Sequence, residues 1–478
     1  MSQVLSSREL LEHRKPFEDL EAEVLERFLA DPRDLGGRLI AGLRYVLNFA
    51  KLTTLRNRDG EDIDVQGALR AHAWRVRERI EKSLGERRAD GLWGVVRELP
   101  ELVRETRDQR RHLLEHFPLD RVSLDREVCT RKFVLVLGGG GGAGYGYAGV
   151  FTQLHRHDLN PSLICGTSIG ALLGIFRARS RAYDAALLLQ ANKSLTWNKL
   201  FKLGPEESRY GLPATLRMHL RASLGEFLRN EDGEVMRISQ LPVPLHVVAT
   251  GLTVDALRHE LAYYEHFLDD VVKQGLGFRT KRLSQVANLA NIMREFAANP
   301  QALREVVFGR DEGTLDMDCI DCAGFSASVP GLLHYDVHRD DQRMKHLLDQ
   351  LYAARGITRL TEGGVVNNVP ARVGFRSAME GRLDGHRNVS ILAVDCFPVR
   401  RTSLLFYPLM QVARANVVKN IPYANIYVAL PRTLSPLNLV PRVDDVAKAS
   451  RWAMDALEPR LPLLRELNRP FAPLRDEH

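Results

Sequence analysis

The chain has 478 residues, 45% apolar and 27% charged, a composition that excludes disorder and leaves room for two or three domains. Its 67 Lys and Arg against 60 Asp and Glu give a net charge of +7, too weak a basic balance to indicate nucleic acid, though compatible with anionic lipid headgroups. Five cysteines argue against a disulfide scaffold, and the lack of an apolar leader or of any run of about 18 apolar residues leads us to expect a cytoplasmic or membrane-peripheral chain.

Residues 1–130 are dense in charges of both signs and repeat at helical spacing. In LEAEVLERFLA, Leu20, Val24, Leu25 and Phe28 fall on one face, and WRVRERIEKSL and VVRELPELVRETRDQRRHLL read alike. The pairs Gly36-Gly37 and Asp59-Gly60 read as turns between helices. From Lys132 the texture changes. FVLVL is a continuous apolar β-run, as in a parallel strand buried on both faces, and it opens into Gly138–Gly142. A helix is expected over Gly144–His157, a strand over Ser162–Cys165, and a helix from Ile169. Further strands are expected at Leu245–Ala249, Ile357–Leu360, Ser390–Val394 and Ile426–Ala429. Helices are expected over Ala214–Arg229, Ser284–Ala298, Met344–Ala354 and Asp444–Leu457, with 178–240 and 252–318 read as helical insertions. Strands alternating with helices imply an α/β fold with a mainly parallel, helix-covered sheet.

Three motifs carry chemistry. Gly166-Thr167-Ser168-Ile169-Gly170, between a strand and a helix, has the form of a tight elbow: Gly166 and Gly170 keep Cβ atoms out of the bend and the Ser168 hydroxyl projects above the sheet. The glycine run Gly139, Gly140, Gly141, Gly142, followed by Ala143-Gly144-Tyr145-Gly146, presents backbone N–H groups at a helix start. It satisfies the spacing of a dinucleotide fingerprint, but the next strand ends in Cys165-Gly166 with no carboxylate to hold a ribose, which disfavours a nicotinamide or flavin cofactor. The other use of such N–H groups is to hold an oxyanion. About 28 residues separate loop and serine, room for one helix and one strand, so both turns fall on the same carboxyl edge of adjacent strands. In the third motif, Thr361-Glu362-Gly363-Gly364-Val365-Val366-Asn367-Asn368-Val369-Pro370, a desolvated Glu362 is suited to accept the serine proton; an ordinary solvated turn is the alternative.

Other assignments are weaker. A Ser-His-acid triad would draw on His246, His334 or His338, with His386 and His478 the only histidines after Glu362. Asp395, at the end of ILAVD, is a rival acid. Cys319-x-x-Cys322 has no second ligand pair, so no metal site is expected, and Cys165 reads as a core residue. Two segments combine cations with apolar and aromatic residues as a lipid interface would prefer: Arg400–Met410 and Leu195–Phe201, the second also readable as a lid.

LGGGGGAGYGYAGVFTQL, ICGTSIGALLG and TEGGVVNNVPA, in that order, resemble the three landmarks of the patatin-like phospholipases. ATGLTVD at 249–255 and CAGFSASVPGLL at 322–333 match more weakly the family's central strand and the segment before its acidic motif. The resemblance spans about 133–375. It implies a three-layer α/β/α acyl hydrolase core over 131–375, with the helical region 1–130 before it and an α/β extension over 376–478 completing it. It further implies a phospholipase A or lysophospholipase type of serine esterase, with no cofactor and a lipid or membrane-surface substrate. Ser168 then matches the nucleophile, Glu362 the acid of a catalytic dyad, and Gly139–Gly142 the oxyanion loop. The sequence departs from the family at two places. Glu362 stands where the family has Asp, one methylene longer, and Ala143 stands where relatives often carry a base. The alternative is therefore a weakly active or inactive lipid-binding protein on the same fold.

Overall fold

The computed structural model describes residues 5–30, 37–86, 91–203, 209–212, 214–253, 299–337, 340–398 and 407–475. The chain divides into two compact units. One comprises Met1–Phe133, Phe375–Ile391 and Pro459–His478; the other comprises Val134–Gly374 and Leu392–Glu458.

The first unit holds helices α1 (Ser7–Ala30), α2 (Gly37–Ala50), α3 (Gln66–Glu86), α4 (Gly91–His116) and α5 (Arg121–Cys129). Its aliphatic and aromatic stripes meet in a core of Tyr45, Phe49, Leu52, Leu55, Leu69, Leu113, Leu124 and Val128. The turn expected at Asp59-Gly60 is the tip of a hairpin between β1 (Thr54–Arg56) and β2 (Asp62–Asp64), with Gly60 at φ +85°. The charged faces are not all solvated. Glu21 is buried and accepts from Arg44 Nε (2.9 Å), Asn48 Nδ2 (3.1 Å) and Arg131 Nη2. Burial raises its pKa, but Arg131, Arg44 and Lys51 overcome that and hold it at about 2. Late chain completes this unit. In the helix Leu461–Asn468, Leu461, Leu463, Leu464 and Leu467 are buried, and Arg44 donates to the Leu467 and Arg469 carbonyls, both at 3.0 Å.

The second unit is built on a mainly parallel sheet. Strands β3 (Lys132–Leu137), β4 (Leu163–Thr167), β7 (Leu245–Leu252) and β11 (Val389–Asp395) are buried almost throughout, on alternate residues as well as consecutive ones, so both faces of the sheet are covered. The sheet order is β10-β7-β4-β3-β11-β12, with β8 on the other edge of β7. Here β8 is Leu303–Phe308, β10 is Arg359–Thr361 and β12 is Ile426–Ala429. β3, β4, β7 and the β11–β12 pair run parallel; β8 and β10 are antiparallel to β7. The fold is α/β, as expected, with the helical N-terminal region added.

Three expectations change. Ala214–Arg229 is not one helix: Ala214, Leu216 and Met218 alternate with polar residues and form strand β6 (Ala214–Met218), and a short helix over Leu220–Leu224 follows. β6 joins β5 (Phe201–Leu203) and β9 (Gly331–His334) in a small second sheet, so 178–240 is not purely helical. Within 252–318, the β-branched run Leu303–Phe308 is strand β8. The helix expected over Ser284–Ala298 and most of the Arg400–Met410 segment lie outside the described residues.

Candidate active site

The strand β3 runs into the glycine loop, which forms a 3-10 turn over Gly141–Gly146 before helix α6 (Tyr147–Arg156) returns the chain to β4. β3 and β4 pair in parallel with Leu137 opposite Gly166, so the loop and the elbow leave the same sheet edge side by side. Ser168 sits between β4 and α7 (Ile169–Ala178) at φ +56° and ψ −125°, a strained conformation for a residue with a side chain and worth about 1–3 kcal/mol. Close packing sets its neighbours. A Cβ on Gly166 would come within 2.7 Å of the Ala171 backbone, and one on Gly170 within 2.3 Å of the Leu137 carbonyl oxygen.

The strain is held by hydrogen bonds. The Ser168 N–H donates to Ser326 Oγ at 2.8 Å, and Ser326 in turn donates to the Val248 carbonyl. Ser326 ends the helix Cys319–Ser326, and the next residues hold the acidic motif. Glu362 N–H donates to Ser328 O (3.0 Å), Gly363 N–H to Ser326 O (3.1 Å) and Thr361 Oγ1 to Ser328 O (2.9 Å). The segment Ser326–Ser328 thus ties the serine elbow and the Glu362 turn to one short piece of chain. Ser326 and Asn368 both fall inside segments the sequence singles out, CAGFSASVPGLL and TEGGVVNNVP, but a serine and an asparagine there carry no pattern that assigns them these bonds.

Glu362 is 6% exposed. Its Oε1 accepts the Gly364 N–H at 3.2 Å, the Ser168 side chain lies within interaction range, and Oε2 has no hydrogen-bond partner among the described residues. Burial pushes its pKa up to about 8, against smaller opposing effects from the Gly364 N–H and the Ser168 hydroxyl. Gly139 marks the meeting point of the three motifs. A Cβ built there would lie 2.7 Å from Asn368 Oδ1, 3.1 Å from Ser168 Cβ and 3.5 Å from Glu362 Oε1.

The four loop glycines are not equivalent. Gly139 N–H donates to Asn368 O at 3.1 Å and Gly142 N–H to Pro436 O at 2.9 Å. The N–H groups of Gly140 and Gly141 have no acceptor among the described residues, and both residues line a cavity that also reaches Ser168 and Glu362. Ala143 is buried and its N–H returns to Gly140 O at 3.2 Å.

That cavity measures about 470 Å³. Leu172, Phe176, Leu188, Leu200, Phe201 and Val446 are among the apolar side chains that wall it, and among the described residues it is lined by no histidine, lysine or arginine. The histidines considered for a triad lie elsewhere. His334 Nδ1 meets Leu212 O at 2.9 Å, His386 Nε2 meets Thr130 Oγ1 at 3.0 Å, His246 is buried in β7, and His338 and His478 fall outside the described residues. Asp395, the rival acid, accepts the Phe397 N–H (2.8 Å) and the Tyr427 hydroxyl (2.7 Å), closing the end of the β11–β12 pair rather than facing the cavity. Cys319 and Cys322 are buried free thiols whose pKa values burial raises. Beside them, Asp318, Asp321 and Asp341 form a carboxylate cluster that Arg221 bridges, with Nη2 at 2.6 Å from Asp318 and 2.9 Å from Asp341 and Nε at 2.8 Å from Asp321, while Arg343 also pairs with Asp318.

The family model for patatin-like phospholipases matches residues 135–375, half of the chain. The chain belongs to the patatin-like phospholipase family. The family is one of lipid acyl hydrolases, and the matched span takes in the glycine loop, the Ser168 elbow and the Glu362 turn. No curated protein matches the chain. No helix among the described residues is long and apolar enough to cross a membrane.

Proposed function

We propose that this patatin-like protein hydrolyses fatty-acyl esters of lipids, in the manner of a phospholipase A or lysophospholipase, through a Ser168–Glu362 dyad and an oxyanion hole made by the N–H groups of Gly140 and Gly141. The observation that carries the reading is the meeting of a strained serine and a buried carboxyl at the wall of an apolar cavity that, among the described residues, no imidazole lines. Ionised Glu362 takes the proton from Ser168 Oγ as that oxygen bonds to the acyl carbonyl carbon, and the carbonyl oxygen becomes an oxyanion facing the glycine N–H groups. Protonated Glu362 then gives its proton to the departing alcohol oxygen, leaving an acyl-serine. Water attacks the acyl carbon, loses its proton to Glu362, and the fatty acid leaves as Ser168 is reprotonated. The apolar walls suit the chain of the fatty acid.

Ser168→Ala is expected to abolish turnover of a short p-nitrophenyl ester, and a fluorophosphonate probe to label the wild-type chain at Ser168; unchanged hydrolysis by the variant would dispose of the dyad. A second reading, a weakly active or inactive lipid-binding protein, is favoured by one observation. A carboxyl with its pKa at about 8 is ionised in only about a tenth of molecules at pH 7. The same probe separates the two, since an inactive protein stays unlabelled even at pH 9, where most of the carboxyl is ionised.

A further inference from the structure

The cavity opens to solvent at apolar side chains. Leu189 of helix α8 (Ala185–Ser194) and Leu437 of the 431–442 loop both line it, yet they are 39% and 43% exposed. Asn192 joins the two segments by donating to Pro441 O at 3.5 Å. Between α8 and β5 the chain alternates its allegiance. Leu195, Leu200 and Phe201 line the cavity, whereas Lys193, Thr196, Trp197, Asn198 and Lys199 are exposed. Trp197, 46% exposed, lies against Phe201 with ring centroids 4.7 Å apart, so an indole on the surface backs directly on a ring of the cavity wall.

The two stretches of this rim carry cations only. Residues 185–203 contain Lys193, Lys199 and Lys202, residues 431–442 contain Arg432 and Arg442, and neither stretch holds a carboxylate. The acid bordering the first stretch, Asp184, is engaged in capping α8 through the Leu187 N–H at 2.9 Å, Asp444 and Asp445 follow the second stretch in the first turn of the next helix, and Arg432 meets Asp455 at 3.9 Å. Exposed tryptophan and leucine among cations is the pattern that inserts at a headgroup boundary, the rings sinking to the acyl region while the cations meet lipid phosphates.

We infer that this rim, Leu189, Lys193, Trp197, Lys199 and Leu437, is the surface by which the protein docks on an anionic lipid bilayer, setting the cavity mouth against the source of its substrate. The inference rests on the lipid-ester reading for its purpose, but docking is measurable without catalysis. The full chain is mixed with sedimenting vesicles of phosphatidylcholine alone or with about 30% phosphatidylglycerol. The wild-type chain is expected to sediment with the anionic vesicles and to be released by high salt. Lys193→Gln with Lys199→Gln should lower partitioning about 25-fold, roughly fivefold for each charge removed. Trp197→Ser should lower it several-fold on the same vesicles. Lys193, Trp197 and Lys199 do not line the cavity, so turnover of the short soluble ester should be unchanged in every variant. Sedimentation of the variants equal to wild type, or no sedimentation of the wild-type chain with anionic vesicles, overturns the docking surface. If the wild-type chain sediments as expected but neither hydrolyses the ester nor takes the probe, the surface stands and the hydrolase reading falls.

Discussion

In the proposed dyad, the chemistry turns on one proton of Glu362. With its pKa pushed up to about 8, the carboxyl is mostly neutral at pH 7, and a general base must be ionised. The rate on a soluble ester, followed as kcat/KM, is therefore expected to climb through an apparent pKa of about 8 and level above it. A profile already flat from pH 6 would show that another group takes the proton. The same shift bears on stability. An acid whose folded pKa lies above its unfolded value of about 4.5 stabilises the fold fully below the lower value and loses that contribution as pH rises through about 8. Glu362→Gln removes the titration, so it should be inactive, yet it should raise Tm relative to wild type at pH 9 by more than at pH 5.5. Calorimetry at the two pH values checks this, and an equal effect at both would mean the carboxyl is not desolvated in the folded protein.

Among the elements, the segment Ser326–Ser328 ties Ser168 to Glu362, because it bonds the Ser168 N–H on one side and the Glu362 and Gly363 N–H groups on the other. A longer acid can serve only if its backbone is held where the extra methylene is needed, and these bonds fix that backbone. Ser326→Ala strips the acceptor from a buried N–H at a strained residue, at a cost of about 1–3 kcal/mol in unfolding by urea. It should lower kcat on a soluble ester about tenfold or more while KM changes little. A fall confined to KM would argue that Ser326 only shapes the cavity. Much of this element-level architecture was legible beforehand. The apolar run Phe133–Leu137, the glycines after it and Gly166–Gly170 dictated two parallel crossings, because glycine and continuous hydrophobicity have few other uses in that arrangement. The pairing of Glu362 with Ser168 followed from the motif's resemblance rather than from any spacing between the two. What could not be read was long-range. The strand Ala214–Met218 hid inside a stretch of helix-forming residues and is fixed by partners over a hundred positions later, in β9. Likewise, which loop N–H groups remain open depends on carbonyls of Asn368 and Pro436, far along the chain.

Taken whole, the molecule is less modular than its sequence texture suggests. The compact unit built around α1–α5 also contains Phe375–Ile391 and Pro459–His478. Glu127 receives the N–H groups of Arg387 (2.9 Å) and Asn388 (2.6 Å), and Arg14 donates to Arg387 O at 3.1 Å. Leu464 is fully buried in that unit. Leu464→Ala should therefore destabilise it by about 2–5 kcal/mol. Limited proteolysis should then cut within α1–α5 sooner than in wild type; unchanged protection there would mean that the late helix is not part of their fold. One temporal consequence follows from this interleaving. At roughly 5–20 residues per second on the ribosome, α1–α5 are synthesised tens of seconds before Leu461–Asn468 emerges, so the first helices wait for the last pieces of their own unit while the sheet of the other is being made.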